Sequence, residues 1–155
     1  MVIRNKIELF TDGACKGNPG LGGWGVLIIN SKILNELKGI QQQTTNNRME
    51  LIAVIKGLKS IQESADIEIT TDSMYVNNGI NQWIDNWKNN GWKTAAKKPV
   101  KNKDLWQELD DLVQNYSIKW IWVKGHSGHP GNERADQLAN EAIEEFQNKN
   151  NTLTI

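Results

Sequence analysis

The sequence predicts an α/β fold in which helices flank one mixed sheet. Three strand-like apolar runs come first along the chain, and helices and strands then alternate to its end. The first strand and the strand that follows the first long helix both end in Thr-Asp. This repeat is expected if the helix is a crossover that returns the chain to a strand parallel to the first.

The strands are predicted from apolar alternation and from β-branched residues. A short turn at Asn30-Ser31 separates the second strand from the third. The five predicted strands are 6–11, 24–30, 32–42, 66–71 and 118–123.

The first helix is predicted over 46–61, because Thr45, Asn46 and Asn47 offer cap residues before apolar residues at helical spacing. Shorter helices are expected over 73–88. Two later helices are marked by apolar residues at helical spacing, which are Leu105, Leu109, Leu112 and Val113 in one and Ala135, Leu138, Ala139, Ala142, Ile143 and Phe146 in the other.

Length and composition predict a single domain, which we place at residues 1–147, with a polar and flexible tail at 148–155. Lysine plus arginine and aspartate plus glutamate both number 18, so a basic surface for nucleic acid has to be local. Cys15 is the single cysteine, which excludes an internal disulfide. Since no apolar run resembles a signal peptide or a membrane span, we expect a cytoplasmic protein that does not bind membranes.

The stretch LFTDGACKGNPG carries an aspartate, Asp12, at the end of the first predicted strand. Asp-Gly is typical of tight hairpins, and a glycine-rich loop after a strand is typical of phosphate sites that open a helix. The next apolar run starts only at Trp24 and has strand character, which fits neither alternative. We therefore predict a long loop whose small residues let another backbone approach.

Four acids are candidates for one site. If the first and fourth strands are parallel neighbours, Asp12 and Asp72 lie side by side, because adjacent strands are separated by about 4.8 Å. Two carboxylates so close repel each other unless a cation lies between them. The alternative is that both aspartates only end their strands in solvent, where no cation is needed. Glu50 adds an acid to a largely apolar helix, and Asp136 is expected in the first turn of the last helix, where the helix dipole alone could explain it.

A cluster of carboxylate oxygens suits hard cations such as Mg²⁺ or Mn²⁺. The sequence contains no grouping of cysteine and histidine, so zinc is not expected. Acidic residues that hold two such cations are a device of phosphodiester hydrolysis, in which one ion activates water and the other stabilises the leaving oxygen.

Six blocks, in the same order and over nearly the whole chain, resemble the bacterial-type ribonuclease HI family: FTDGACKGNPG, TTNNRMEL, TTDSMYV, QWIDNWKNNGWKT, KKPVKNKDLW and WVKGHSGHPGNERAD. The resemblance implies a ribonuclease H-like fold, with a five-stranded mixed sheet in the order 3-2-1-4-5. It implies a monomeric endonuclease that hydrolyses the RNA strand of RNA·DNA hybrids with two Mg²⁺ ions, for which Mn²⁺ could substitute. The implied products carry 5′-phosphate and 3′-hydroxyl ends.

Carried over by position, the family's functional residues fall into four sets. The catalytic and metal-binding acids are Asp12, Glu50, Asp72 and Asp136, joined by the loop histidine His126, whereas His129 is expected to be structural. The contacts to RNA 2′-hydroxyls are Asn18, Asn46, Asn47 and the backbone around Cys15. The DNA-phosphate pocket is Thr45 and Asn102.

The fourth set is the lysine–tryptophan segment, Trp83–Trp106, in which six lysines and two aspartates give a net charge of +4. Interleaved aromatic and basic residues are typical of a nucleic-acid contact, although some of these tryptophans could instead belong to the core. The expected contacts are Trp83, Trp87, Lys88, Trp92, Lys97 and Lys98.

The sequence departs from the family pattern in two places. Met74 stands where many relatives have a polar amide, so packing against the substrate is expected there instead of a hydrogen bond. Asn89 and Asn90 occupy positions that are often basic, which dilutes the charge of the lysine–tryptophan segment.

Two other functions compete with cleavage of hybrids. A module that binds hybrids without cutting them would be favoured by the loss of one of the acids, and all four are present. A DNA strand-transfer nuclease of the integrase kind would have no use for the lysine–tryptophan segment or for the paired asparagines.

Overall fold

A computed structural model describes residues 5–63, 65–125 and 128–153 of the chain. The strands are β1 Asn5–Lys16, β2 Gly20–Asn30, β3 Ile33–Thr44, β4 Ala65–Thr71 and β5 Ser117–Trp122. The helices are α1 Asn46–Lys59, α2 Met74–Asn78, α3 Ile84–Asn89, α4 Lys103–Val113 and α5 Pro130–Leu153, and a π-helical turn, Gly79–Trp83, joins α2 to α3.

The five strands form one mixed sheet in the order β3–β2–β1–β4–β5, which confirms the predicted topology. The first three strands are antiparallel, and β4 lies parallel to both β1 and β5. Helix α1 therefore carries the chain from β3 at the edge of the sheet back to β4, which lies beside β1, as the repeated Thr-Asp ends indicated. Thr45 caps α1, since its Oγ1 accepts a hydrogen bond from Arg48 N at 3.3 Å.

The long loop predicted after Asp12 is wrong. Strand β1 continues to Lys16, and a tight turn at 17–19 leads directly into β2. Gly13 pairs with Trp24, and Cys15 pairs with Gly22, so the small residues form the end of a hairpin. Apolar alternation cannot reveal such a strand, because its residues are small where other backbones approach closely.

The sheet carries helices on both faces. The larger apolar core joins the buried residues of α1 to those of β1, β2, β4 and α4, with fully buried Trp106 among its members. Phe10, Leu27 and Ala135 form a smaller cluster between the sheet and α5. The two aspartate-bearing strand ends consequently lie between α1 and α5.

Helix α5 differs from expectation in its bounds. It begins at Pro130, so Asp136 lies in its second turn and not in the first. It also continues to Leu153, beyond the predicted domain end at residue 147. The division at 147 and the flexibility of 148–155 stay predictions. No helix in the described part of the chain has the length and apolar character needed to cross a bilayer.

Candidate active site

Three carboxylates meet at one end of the parallel strand pair. Thr11 and Thr71 are the last residues that pair between β1 and β4. The next residue in each strand, Asp12 and Asp72, therefore lies at the same end of this pair. Helix α1 adds Glu50. These three acids, hereafter the acidic cluster, each offer a carboxylate oxygen, and the three oxygens lie within 4.8 Å of one another. The predicted meeting of Asp12, Glu50 and Asp72 is confirmed.

Gly13 allows Glu50 to reach the strand end. Its backbone N–H donates to Asp12 Oδ1 at 2.9 Å and to Glu50 Oε1 at 3.0 Å. A Cβ at this position would lie only 2.5 Å from the carbonyl carbon of Met49 and 2.6 Å from Glu50 N. Helix α1 can approach β1 this closely only because residue 13 has no side chain.

The electrostatics of the acidic cluster favour a bound cation. Asp12 is 4% exposed and Glu50 is 9% exposed. Burial raises the pKa of both carboxyl groups, and the negative charges of their acidic neighbours raise it further. A hydrogen bond from Asp12 offsets part of the rise in the pKa of Glu50. A divalent cation would remove the repulsion that keeps protons on these groups.

An unsatisfied oxygen supports the same conclusion. Glu50 Oε2 is buried and accepts no hydrogen bond from any part of the protein that the structure describes. A buried carboxylate oxygen without a partner is costly, and coordination to a metal would satisfy it. The donors are all carboxylate oxygens, which fits Mg²⁺ or Mn²⁺.

Asp136 approaches the acidic cluster from α5. Asp136 lies close enough to Asp12 to add to the rise in the pKa of that carboxyl group, which burial causes first. Asn140, one turn later, donates Nδ2 to Asp136 Oδ1 at 3.3 Å and to its carbonyl oxygen at 2.9 Å. Asp136 thus borders the three-oxygen group without belonging to it.

All four acids line an open depression of about 490 Å³. Cys15, Asn46, Asn47 and Met74, four of the predicted substrate contacts, line it as well. Met74 is 59% exposed, which makes it a surface for contact and not a core residue. The depression therefore joins an acidic end to a wall of amides and one thioether.

Asn18 lies beside this wall. Its Oδ1 accepts a hydrogen bond from Asn46 N at 3.1 Å, so the β1–β2 turn is tied to the start of α1. The Cys15 thiol donates to Gly17 O at 2.8 Å within the same hairpin end. The predicted hydroxyl-reading residues are thus brought together in space.

Thr45 and Asn102, the predicted phosphate pocket, are connected by Arg48. The Arg48 guanidinium donates to Asn102 Oδ1 at 3.2 Å and to both carboxylate oxygens of Asp104, at 3.0 and 2.8 Å. Asn102 Nδ2 donates in turn to the Tyr75 hydroxyl at 3.0 Å. Sequence reasoning missed Arg48, because its guanidinium reaches residues more than 50 positions away along the chain.

The tryptophans of the lysine–tryptophan segment pack into a row of rings. Trp87 lies with its ring centroid 5.7 Å from that of Trp83, 6.4 Å from that of Trp92 and 5.4 Å from that of Trp106. Trp87 and Trp92 also pack against the larger core. Both rings are half-buried, so they support the core and also keep an exposed part, and their predicted contact with the substrate stays a prediction.

The lysines of this segment lie on its surface. Lys88, Lys97 and Lys98 are all exposed. Lys88 Nζ lies 3.4 Å from Asp110 Oδ1 of α4, which offsets part of its charge. Lys97 adopts a positive φ of 63° in the loop between α3 and α4.

Two histidines were predicted to differ in role. His126 lies outside the described residues. His129 precedes α5, where its Nδ1 accepts a hydrogen bond from Asn132 N at 3.3 Å and its carbonyl oxygen accepts one from Glu133 N at 2.9 Å. These contacts agree with the structural role expected for His129.

Comparisons with known proteins agree on one family. The model of the RNase H family matches residues 4–144. A ribonuclease H of Pseudomonas putida is 60% identical over 145 residues, which cover 94% of this chain and 98% of the relative. A ribonuclease H of Francisella philomiragia is 59% identical over 146 residues, which cover 94% and 96%.

Solved structures share the fold. The crystal structure of LC9-RNase H1, described as a type 1 RNase H with the type 2 active-site motif, superimposes with a TM-score of 0.84 at 31% identity, over 94% of this chain and 75% of that one. LC11-RNase H1, solved in complex with an RNA/DNA hybrid, superimposes with a TM-score of 0.72 at 23% identity, over 91% and 99%.

Proposed function

Because this chain belongs to the RNase H family, we propose that it cuts the RNA strand of RNA·DNA hybrids internally by two-metal-ion hydrolysis. The products would carry 5′-phosphate and 3′-hydroxyl ends. Family membership by itself makes the chain a hydrolase with ribonuclease H activity. A monomeric state and a cytoplasmic location stay predictions.

The observation that supports the proposal is the acidic cluster in the open depression. Three carboxylate oxygens lie within 4.8 Å of one another, and one oxygen of Glu50 is buried without a hydrogen-bond donor among the described residues. Such a cluster is costly as a purely structural feature. Its position beside exposed amides supports a site for a phosphodiester and its cation.

Asp12, Glu50 and Asp72 would hold a divalent cation, with Asp136 completing the coordination from the side of Asp12. The chemistry that such ions supply when bound is activation of the attacking water and stabilisation of the leaving oxygen. Asp12 and Glu50 would release their protons on loading, because their raised pKa values reflect burial and the negative charges of neighbouring acids. His126 would hold or move a proton near the leaving group.

Substrate selection would rest on the wall of the depression. Asn46 and Asn47 are exposed at the start of α1, and their side-chain amides can both donate and accept, as recognition of a 2′-hydroxyl requires. Thr45 and Asn102, joined through Arg48, would position the DNA phosphate. Lys97 and Lys98 would attract the hybrid from a distance.

The proposal is tested with end-labelled RNA·DNA hybrid, double-stranded RNA and duplex DNA, each incubated with Mg²⁺ or with chelator. We expect cleavage of the RNA strand of the hybrid alone, and only with Mg²⁺. Fragments with 3′-hydroxyl ends can be extended by a polymerase, which reports the end chemistry. Hybrid binding without cleavage would favour the binding-only module, and cleavage of duplex DNA would favour an integrase-like nuclease.

A further inference from the structure

Asn132 is a buried amide that none of the roles above uses. It lies in the first turn of α5 and is 3% exposed. Its Nδ2 lies 3.4 Å from Asp72 Oδ2, and its Oδ1 is buried without a hydrogen-bond partner in the described part of the protein. An unpaired buried carbonyl oxygen destabilises the fold. We therefore look for the role of this side chain in the contact that its Nδ2 makes with Asp72.

The backbone around Asn132 is held firmly. Its N–H donates to His129 Nδ1 at 3.3 Å, which fixes the first turn of the helix. The adjacent Gly131 lies against the ring of Phe10, so closely that a Cβ there would be 2.4 Å from the ring atom Cδ1. Phe10 stands two residues before Asp12 on β1. The amide therefore approaches Asp72 from a support that is itself anchored to the sheet.

The backbone of Gly125 also lies close to Asp72 Oδ2. A Cβ at Gly125 would lie 3.0 Å from this oxygen, so the backbone before His126 passes next to it. The hydrogen bond from Asn132 and the nearby backbone of Gly125 both limit the orientations open to the Asp72 carboxylate.

We propose that Asn132 is a positioning residue for Asp72, which holds the carboxylate in the orientation that binds the metal. The proposal rests on the proposed function, since it assumes that Asp72 is a metal ligand. Asn132 and Asp136 are four residues apart and so share one helix face. The first two turns of α5 would thus support both strand-end acids, with Asn132 contacting Asp72 and Asp136 contacting Asp12.

Asn132→Leu is the sharpest test, because leucine keeps the branched shape of the side chain and removes the donor together with the unpaired carbonyl. Binding of Mg²⁺ to the substrate-free full chain is measured by calorimetry, and kcat and KM are measured with hybrid at fixed Mg²⁺. We expect Mg²⁺ affinity and kcat to fall by about 10- to 100-fold, the usual effect of losing a residue that orients a metal ligand. KM for the hybrid should not change.

The control is Ala142→Gly, a buried position in α5 that weakens the helix by about 1 kcal/mol without contacting the acids. It should lower thermal stability and leave Mg²⁺ affinity unchanged. Asn132→Leu should do the opposite, with stability near that of the unmodified chain. Unchanged Mg²⁺ affinity and kcat in Asn132→Leu would overturn the positioning role alone. The unmodified chain should bind Mg²⁺, and Asp72→Asn should abolish this binding. If it does not, the proposed function fails, and the positioning role fails with it.

Discussion

Asp12 and Gly25 lie opposite each other in the β1–β2 ladder, and the backbone of α5 passes directly over Gly25. A Cβ at Gly25 would lie 2.4 Å from the carbonyl oxygen of Ala135, the residue before Asp136. The separation between α5 and the acidic cluster is therefore set by the missing side chain at position 25. Asp136 reaches Asp12 because of this close approach.

Gly25→Ala should displace α5 and move Asp136 away from Asp12. We expect a loss of about 1–3 kcal/mol in the free energy of unfolding from overpacking, together with a fall in kcat of about tenfold or more. Urea denaturation and hybrid cleavage measure the two effects. Gly57→Ala is the matched control, since the atoms nearest to its Cβ would be side-chain methyl groups of Leu9 and Val26, at 3.2 Å. Equal kcat values for the two variants would contradict the prediction.

Asp72→Asn should abolish hydrolysis and leave hybrid binding intact, because the amide keeps the volume and loses the charge that holds a cation. Without metal, the variant should be more stable than the unmodified chain, since a repulsive charge beside Asp12 and Glu50 is gone. Cleavage assays and binding by fluorescence anisotropy measure activity and affinity, and chemical denaturation in chelator measures stability. Asp85→Asn, an exposed acid on α3, is the control and should behave like the unmodified chain.

Stability of the metal-free protein should fall as the pH rises. Burial raises the pKa of Glu50 from its ordinary 4.5 to about 7, so the native state binds more protons than the unfolded chain between these values. Unfolding free energy therefore decreases with rising pH over this window. Glu50→Gln removes this titration, and its stability relative to the unmodified chain should grow by on the order of 2 kcal/mol from pH 4.5 to 7.

Chemical denaturation in chelator at several pH values measures the difference. Mg²⁺ should stabilise the unmodified chain more at pH 8 than at pH 5, because the cation competes with protons for the same oxygens. A stability difference that is independent of pH would show that Glu50 stays ionised in the metal-free protein.

Replacement of Lys97 and Lys98 by alanine should raise KM for the hybrid without lowering kcat, since side chains remote from the acids bind ground state and transition state equally. The slope of log KM against log salt should flatten by roughly one unit for each phosphate that the protein no longer neutralises. Lys88→Ala should have a smaller effect, because Asp110 already offsets its charge.

Lys32→Ala combined with Lys56→Ala removes the same charge from other exposed positions and should leave the slope unchanged. If Lys97 and Lys98 could be replaced without any change in salt dependence, these lysines would only solvate the segment.

His126→Ala should lower kcat by about 10²-fold or less and change KM little, as expected for a group that moves a proton near the leaving oxygen. The pH dependence of kcat measured for the variant and the unmodified chain tests this role. His129→Ala should instead lower stability, because Asn132 N loses its acceptor at the start of α5. If the pH dependence of kcat were the same in His126→Ala and in the unmodified chain, His126 would be a solvated loop residue with no part in proton transfer.

Residue patterns alone predicted the helix that returns the chain to a strand parallel to β1, the cap residues at its start, and the meeting of Asp12, Glu50 and Asp72. These features follow from local patterns, since alternation, cap residues and an acid in an apolar helix are all visible within short windows. The resemblance to a known family added the full strand order 3-2-1-4-5 and the expected roles of Asp136 and of the substrate-binding residues, which no spacing rule could have selected.

Only the tertiary structure decided how closely the elements approach. The hairpin beyond Asp12 was missed because its glycines carry no apolar signal, yet Gly13 and Gly25 admit the backbones of α1 and α5. The contact between Asn132 and Asp72 joins residues 60 positions apart. Local periodicity reports which face of an element is apolar, whereas such a contact depends on the packing of two elements that are far apart along the chain.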